Sequence, residues 1–386
     1  MITVEQSAPT ATHADVVIIG AGIAGICLAG SLAPSASVVL LEREDAIGYH
    51  SSGRSAALYI EPYSNQPVFA LTRGSLDFLR APPRQFTEVA LATRRGALTL
   101  APPGQEDALD AFLTRWRPLC PAIEEIGLEE AASRLPILVP GYARRAVFDS
   151  EVFALDTDAM LQGWLRQLRR HAGEVVTAAD VTAMAHGSGI WTVTTAAGVF
   201  RAPVVVNAAG AWAGRIAGLA GALAVPLEPR RRTAALVAAP PESAVDDWPV
   251  VADAAHSFYF KPEAGALMLS PSDATPTEPC DARPEEMDLA LAVARAEEAA
   301  RLGVKRFVAT WAGLRTFAPD EVPVFGFDAS ASGFYWAAGQ GGTGFQTAPA
   351  AARWMAADIL GESPPEDLAE LGLTREVVAP ERFKPA

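Results

Sequence analysis

Two short apolar runs, Val16 to Ile19 and Val38 to Leu41, flank a stretch of small and apolar residues that opens on Gly20, Gly22 and Gly25. The pattern predicts a buried strand, a tight turn, a helix and a second buried strand, closed by Glu42. Helical spacing returns from Gln66 to Leu79, and the prolines of the Ala81 to Gln85 segment end it. Phe86 to Leu100 alternates in the manner of strands, and a Pro-Gly turn then leads into a helix over Glu106 to Trp116. A shorter helix is expected over Gly127 to Leu135. Strand and turn text from Arg145 follows, and Asp156 or Asp158 caps an amphipathic helix running through His171, with Gly173 past its end.

From Glu174 the pattern turns to strands, ending in the apolar run Val204 to Val206. There Asn207 to Gly214 turns into a helix through a corner of small residues that lets backbone approach a ligand. Val225 to Pro271 again reads as strands, and Arg283 to Leu302 as a strongly amphipathic helix. Gly333 to Ala357 repeats the opening logic: an aromatic strand, a glycine-rich turn, then a helix whose N-terminus suits an electron-rich group.

The first of these corners carries the chemistry of a dinucleotide site. Gly20 permits the turn, Gly22 lets backbone approach a diphosphate, Gly25 lets helix pack on strand, and Glu42 accepts from ribose hydroxyls. Diphosphate then sits at a helix N-terminus, against the backbone of Ile23 and Ala24. A nicotinamide dinucleotide needs only this first fingerprint. Glycine turns from the beginning, middle and end of the chain favour a flavin dinucleotide.

Composition narrows the partners. A chain of 386 residues, 50% hydrophobic and 20% charged, can bury a large core and divide into about two domains. A formal charge of −14 and the lack of a long basic run argue against nucleic acid and against an anionic membrane surface. The apolar stretch from Val16 to Ala33 is broken by glycines and preceded by acids without Lys or Arg, which argues against a transmembrane segment or signal peptide. Cys27, Cys120 and Cys280 are far apart and unclustered, so free thiols, a cytoplasmic location and no metal are expected. Residues 1 to 14 are expected to be a flexible tail.

With these blocks in view, the chain resembles the FAD-dependent D-amino acid oxidase superfamily over nearly its whole length. The segment from Arg315 through Pro319, Asp320 and Pro323 to Gly326 resembles a further signature of that family. Within it, the likeness runs toward bacterial D-arginine dehydrogenase, in GYHSSGRSAALY (Gly48 to Tyr59), DTDAMLQGWLR (Asp156 to Arg166), VNAAGAW (Val206 to Trp212), SFYFKP (Ser257 to Pro262) and TWAGLRTF (Thr310 to Phe317). The resemblance implies an α/β (α+β) fold of two lobes. A Rossmann-like FAD-binding domain would comprise residues 15–85, 151–220 and 311–386, and a discontinuous antiparallel-sheet substrate domain residues 86–150 and 221–310. It implies hydride transfer from the Cα of a small α-amino acid to flavin N5, then hydrolysis of the imino acid to a 2-oxo acid and ammonia. Oxygen or a quinone-like acceptor would reoxidise the flavin.

The resemblance also assigns residues. Arg315 and Arg232 would clamp the substrate carboxylate, where a guanidinium fork fits better than lysine. Tyr259 and Tyr63 would contact that carboxylate or cover the pocket, with Leu58, Ile60 and Gly96 lining it. Ser51, Ser52, Gly53, Arg54, Ser55 and Ala56 belong to a loop around the flavin and its phosphates, and Arg43 follows the ribose acid. Val181 would meet adenine through its backbone. Ala209, Gly210, Trp212 and Gly313 would line the cofactor, and Gly341, Gly342, Thr343 and Gly344 would offer N–H groups to its pyrimidine end. Leu58 and Gly96 replace a histidine and a glutamate of the arginine-preferring enzyme, which implies an apolar or aromatic D-amino acid and a poor fit for D-arginine. With no Cys after Cys280, FAD would be noncovalent. A 2-hydroxy acid or N-alkyl amino acid is the alternative substrate, and a flavin-binding protein without turnover the alternative of another class.

Overall fold

The structure is a computed structural model, and it describes residues 11–241 and 244–384. Its centre is a six-stranded sheet in the order Glu174–Val176, Val38–Leu41, Val16–Ile19, Val204–Asn207, Phe334–Ala338, Val324–Phe327. The first five strands are parallel and the last is antiparallel. Both faces are covered, which is why the strands read as unbroken apolar runs rather than alternating ones. Ile18, Leu40 and Val206 face helices, including Ile23–Leu32, Thr157–Arg170 and Gly344–Ile359. Val17, Val39 and Val205 pack instead on Trp191, Val193 and Phe200 of a four-stranded sheet. This is the mixed α/β fold expected.

The expected tail begins outside the described residues, but Thr12–His13 form a strand in register with Phe200–Arg201. Ordered structure therefore starts before residue 15.

The second large sheet draws its strands from 97–149, 228–276 and 307–317. Its core includes Leu98, Phe258, Phe260 and Leu269, covered by the helix Glu286–Ala299. That helix is less amphipathic than its sequence suggested: it buries a stripe of Ala292, Ala296 and Ala299. One strand, Phe307–Phe317, is paired along its length with Glu228–Ala238 and carries this sheet back to the first lobe.

Several local expectations shift. The helix read over Gln66 to Leu79 is two helices, Gln66–Arg73 and Leu76–Arg80. They part at Gly74, where an added Cβ would stand 2.3 Å from Leu368. Phe86 is no strand residue; it packs edge-on against Trp164 at 4.9 Å, and only Ala92–Arg94 and Ala97–Ala101 pair as strands. The helix Thr157–Arg170 begins as expected, with Asp156 Oδ1 accepting from the Ala159 N–H at 2.8 Å.

Candidate active site

A cavity of about 570 Å³ runs from the first glycine turn to the second sheet. At one end Gly20 holds φ +105° and an added Cβ would meet the Ala208 carbonyl at 2.4 Å, so only glycine makes this corner. An added Cβ on Gly25 would stand 1.8 Å from the Gly20 carbonyl oxygen, so this glycine packs helix on strand, away from the cavity lining. The Ile23 N–H donates to Ser52 Oγ at 2.9 Å, tying the loop to the helix N-terminus. Glu42 accepts from the Ala21 N–H at 2.8 Å and the Glu44 N–H at 3.0 Å, so it braces the turn as well as bordering the cavity. Val181, Arg43 and Trp212 close this end, with the Arg43 guanidinium 4.7 Å above the Trp212 ring.

The loop after Glu42 is fastened across the molecule. Ser51 Oγ donates to the Leu314 carbonyl at 2.5 Å, and Arg54 donates to the carbonyls of Ala282 and Ala312, both at 2.9 Å. Arg54 also pairs with Asp281. These contacts, through Nη1 and Nη2, hold the loop against the strand Phe307–Phe317. Ser51, Ser52, Arg54, Ser55, Ala56, Ala209, Gly210 and Gly313 all border the cavity, while Gly53 does not.

The four residues expected to form a carboxylate clamp border the same cavity. Arg232 and Arg315 lie on adjacent antiparallel strands, in which Arg232 pairs with Gly313, and both border the cavity with Tyr63 and Tyr259. Arg232 Nε donates to the Asp273 carbonyl at 2.5 Å, while the Asp273 carboxylate takes the Thr233 N–H at 2.7 Å. Asp273 lies 3.9 Å from Arg232, at the edge of ion-pair distance. Among the described residues Arg315 has no carboxylate within ion-pair distance. Burial, followed by the Arg315 charge, lowers the Arg232 pKa from its ordinary value. For Arg315 burial works downward too, but the charges of Tyr63 and Tyr259 outweigh it and the pKa is raised. Burial alone would raise the Tyr259 pKa; Arg315 and then Arg232 overcome it and hold the phenol below its usual range.

The last glycine turn meets this clamp. The Gly341 N–H donates to the Thr316 carbonyl at 2.9 Å, and a Cβ on Gly342 would stand 2.9 Å from Arg315 Cζ. Gly341, Gly342 and Gly344 border the cavity at the N-terminus of the helix Gly344–Ile359. Thr343 does not; its hydroxyl donates to the Gln340 carbonyl at 2.8 Å and shapes the turn.

Leu58 and Ile60 border the cavity as expected, and Gly96 does not. Gly96 is buried at φ +74°, and an added Cβ would stand 2.5 Å from the Phe148 ring. A glycine there adds no room to the pocket. Sequence reasoning missed Thr99 and Asp149, which border the cavity, and Gln346, which clamps both the N–H and carbonyl of Ile60; His50 and His256, read by default as structural or surface histidines, border the cavity too. Strand register, invisible in the text, brings the first two in. Gln346 carried a readable signal, two residues beyond Gly344 on the cavity-facing helix.

Among the described residues no helix is long and apolar enough to cross a membrane, and no three His, Cys, Asp or Glu side chains group to hold a metal. No described cysteine borders the cavity.

A parallel sheet with a glycine corner and a cavity at its strand ends is the arrangement of a dinucleotide-binding enzyme. The chain belongs to the FAD dependent oxidoreductase family (DAO), whose pattern matches residues 15–358. It is similar to the glycine oxidase of Pseudomonas aeruginosa, 28% identical over 365 residues that span 90% of this chain and 95% of that protein. The crystal structure of glycine oxidase from Geobacillus kaustophilus shares the fold with a TM-score of 0.82 at 23% identity, over 94% of this chain and 99% of that one. L-Proline dehydrogenase from P.horikoshii shares it with a TM-score of 0.84 at 21% identity, over 97% of this chain and 99% of that one. FAD is the cofactor of the family, and the glycine corner and the cavity that opens beside it fit it.

Proposed function

We propose that this chain oxidises an α-amino acid at its Cα–N bond, yielding an imino acid that water converts to a 2-oxo acid and ammonia. The observation that carries the reading is Arg315: a guanidinium facing an interior cavity, with no carboxylate within ion-pair distance among the described residues, and with Arg232 and two tyrosines beside it. An uncompensated cation in such a site is costly until an anion of the right shape arrives. A carboxylate completes it.

The chain's own residues supply binding and orientation. Arg315 and Arg232 hold the two carboxylate oxygens, and the hydroxyls of Tyr63 and Tyr259 complete the clamp. Gly342 and Thr316 fix Arg315 relative to the last glycine turn, so the clamped acid presents its Cα hydrogen toward the cofactor cavity. Bound FAD supplies the two-electron acceptor. The D hand is supported by the motif likeness at Tyr63, Arg232, Tyr259 and Arg315.

Leu58, Ile60, Val147 and Val250 give the side-chain region largely apolar walls. The expectation that D-arginine fits poorly rested on Leu58 and Gly96; Leu58 borders the cavity and Gly96 does not, so its support comes from Leu58. A panel of α-amino, N-methyl amino and 2-hydroxy acids, mixed anaerobically with the holoenzyme, tests the reading. Amino acids should bleach the flavin and release ammonia. Bleaching by hydroxy acids alone, or by nothing in the panel, would overturn it.

A further inference from the structure

At the end of the cavity away from the glycine turn, strand register builds a floor from one face of the second sheet. Tyr259 pairs with Ala252, Ala252 with Thr99, and Thr99 with Val147; two residues along, Val250 pairs with Ala97 and Ala97 with Asp149. Directly paired residues and residues two apart share a face, so all seven side chains point the same way. All seven also border the cavity. Between Tyr259 and Asp149 the floor is made of small residues and valines, which leaves an open path.

Asp149 is the unexplained member. It is 6% exposed, and its Oδ1 accepts from the Glu151 N–H at 2.9 Å. Oδ2 has no hydrogen-bond partner among the described residues. The neighbouring acids have their own cations: Glu61 pairs with Arg73, and Glu151 with Arg94 and, at 3.8 Å, with Arg80. No arginine or lysine pairs with Asp149 among the described residues. Burial first, then the charges of Glu61 and Glu151, raises its pKa against the lowering by the Glu151 N–H. One cavity thus carries an excess cation at the Arg315 end and an unpaired carboxyl at the other.

Resting on the amino-acid reading above, we propose that Asp149 is a specificity-determining residue that receives the cationic tip of a long substrate side chain. The α-carboxylate lies on Arg315 and Arg232, the aliphatic stem crosses the floor past Ala97, Ala252 and Thr99, and a side-chain ammonium meets Asp149 Oδ2. Three strand spacings and a two-residue offset place the Tyr259 and Asp149 Cα atoms about 16 Å apart. That span suits an extended side chain such as that of lysine, whose stem also matches the apolar walls, and leaves a short side chain unable to reach.

The test compares lysine with norleucine, which keeps the stem and lacks the ammonium, in anaerobic flavin reduction by the holoenzyme, each in the hand it oxidises. The wild-type enzyme should favour lysine in kcat/KM by roughly tenfold or more, as a charged hydrogen bond implies. Asp149→Asn should abolish that preference, lowering kcat/KM for lysine by roughly tenfold more than for norleucine. A wild-type ratio at or below one overturns the proposal without any variant, and so does a preference that survives Asp149→Asn. If norleucine, alanine and lysine all fail to bleach the wild-type flavin, it is the amino-acid reading that falls.

Discussion

Gly342 offers a substitution that separates function from folding. Its backbone φ is outside the left-handed region, so alanine is compatible with the chain there. The added methyl would stand 2.9 Å from Arg315 Cζ and 3.0 Å from Nε and Nη1. Ordinary contact between such atoms lies near 3.5 to 4.0 Å, so the guanidinium must retreat by roughly 0.6 to 1.1 Å. It is the far end of a flexible side chain beside a cavity, and the retreat should cost the fold less than about 1 kcal/mol. The reaction is less tolerant, because displacement of about 1 Å in a positioning group can cost about 10²-fold, or about 2.7 kcal/mol. The assay is stopped-flow flavin reduction of Gly342→Ala under anaerobic conditions, with Tm and FAD content measured on the same sample. A fall in kcat/KM of tenfold to hundredfold at nearly unchanged Tm and FAD content is expected. Turnover within about twofold of wild type would show that Arg315 does not orient the reacting acid.

Three further outcomes follow from the same geometry. Arg315→Ala should lose more than about 3 kcal/mol of transition-state binding, read as kcat/KM, while retaining FAD; near-normal turnover would remove Arg315 from the clamp. Binding of a non-oxidisable carboxylate, followed by the flavin spectrum, should weaken at a lower alkaline pH than an ordinary phenol would impose, as Tyr259 ionises under the charges of Arg315 and Arg232. Arg232→Met should move that limb to higher pH, and a limb that stays in place would contradict the assignment. Because the folded pKa of Tyr259 is depressed, its contribution to stability is present above the unfolded pKa and lost as pH falls through the folded one. Gly25→Ala should destabilise the fold by more than about 2 kcal/mol with loss of FAD, since its methyl would fall 1.8 Å from the Gly20 carbonyl and neither backbone can yield. An unchanged melting temperature would contradict that packing.

Much of the first lobe was legible because its determinants are local. The glycine corner, the apolar runs on either side and the Asp156 cap each need only a few neighbouring residues, and each sits where its text placed it. The proposed carboxylate clamp came from motif likeness rather than from pattern, since Arg232 reads as one of three adjacent arginines. Alternation separates it only from Arg231, which pairs with Glu285 and Asp288; Arg230 shares its face but pairs with Glu228 and Glu321, and of the three only Arg232 borders the cavity. The side-chain region was not legible. Ala97, Thr99, Asp149 and Ala252 come together only through pairing between strands distant in sequence, and nothing local marks the face each will take. Gly96 misled because its packing is equally non-local: it precedes the strand Ala97–Ala101 at φ +74°, and its Cβ position faces the Phe148 ring.

The most direct measurement is a crystal structure of the FAD-loaded enzyme with an α-amino acid bound under anaerobic, pre-reduced conditions. The substrate carboxylate should lie within about 3 Å of both the Arg315 and Arg232 guanidinium groups, with its Cα facing the flavin ring. A carboxylate bound elsewhere, with those two arginines holding only water, would contradict the account.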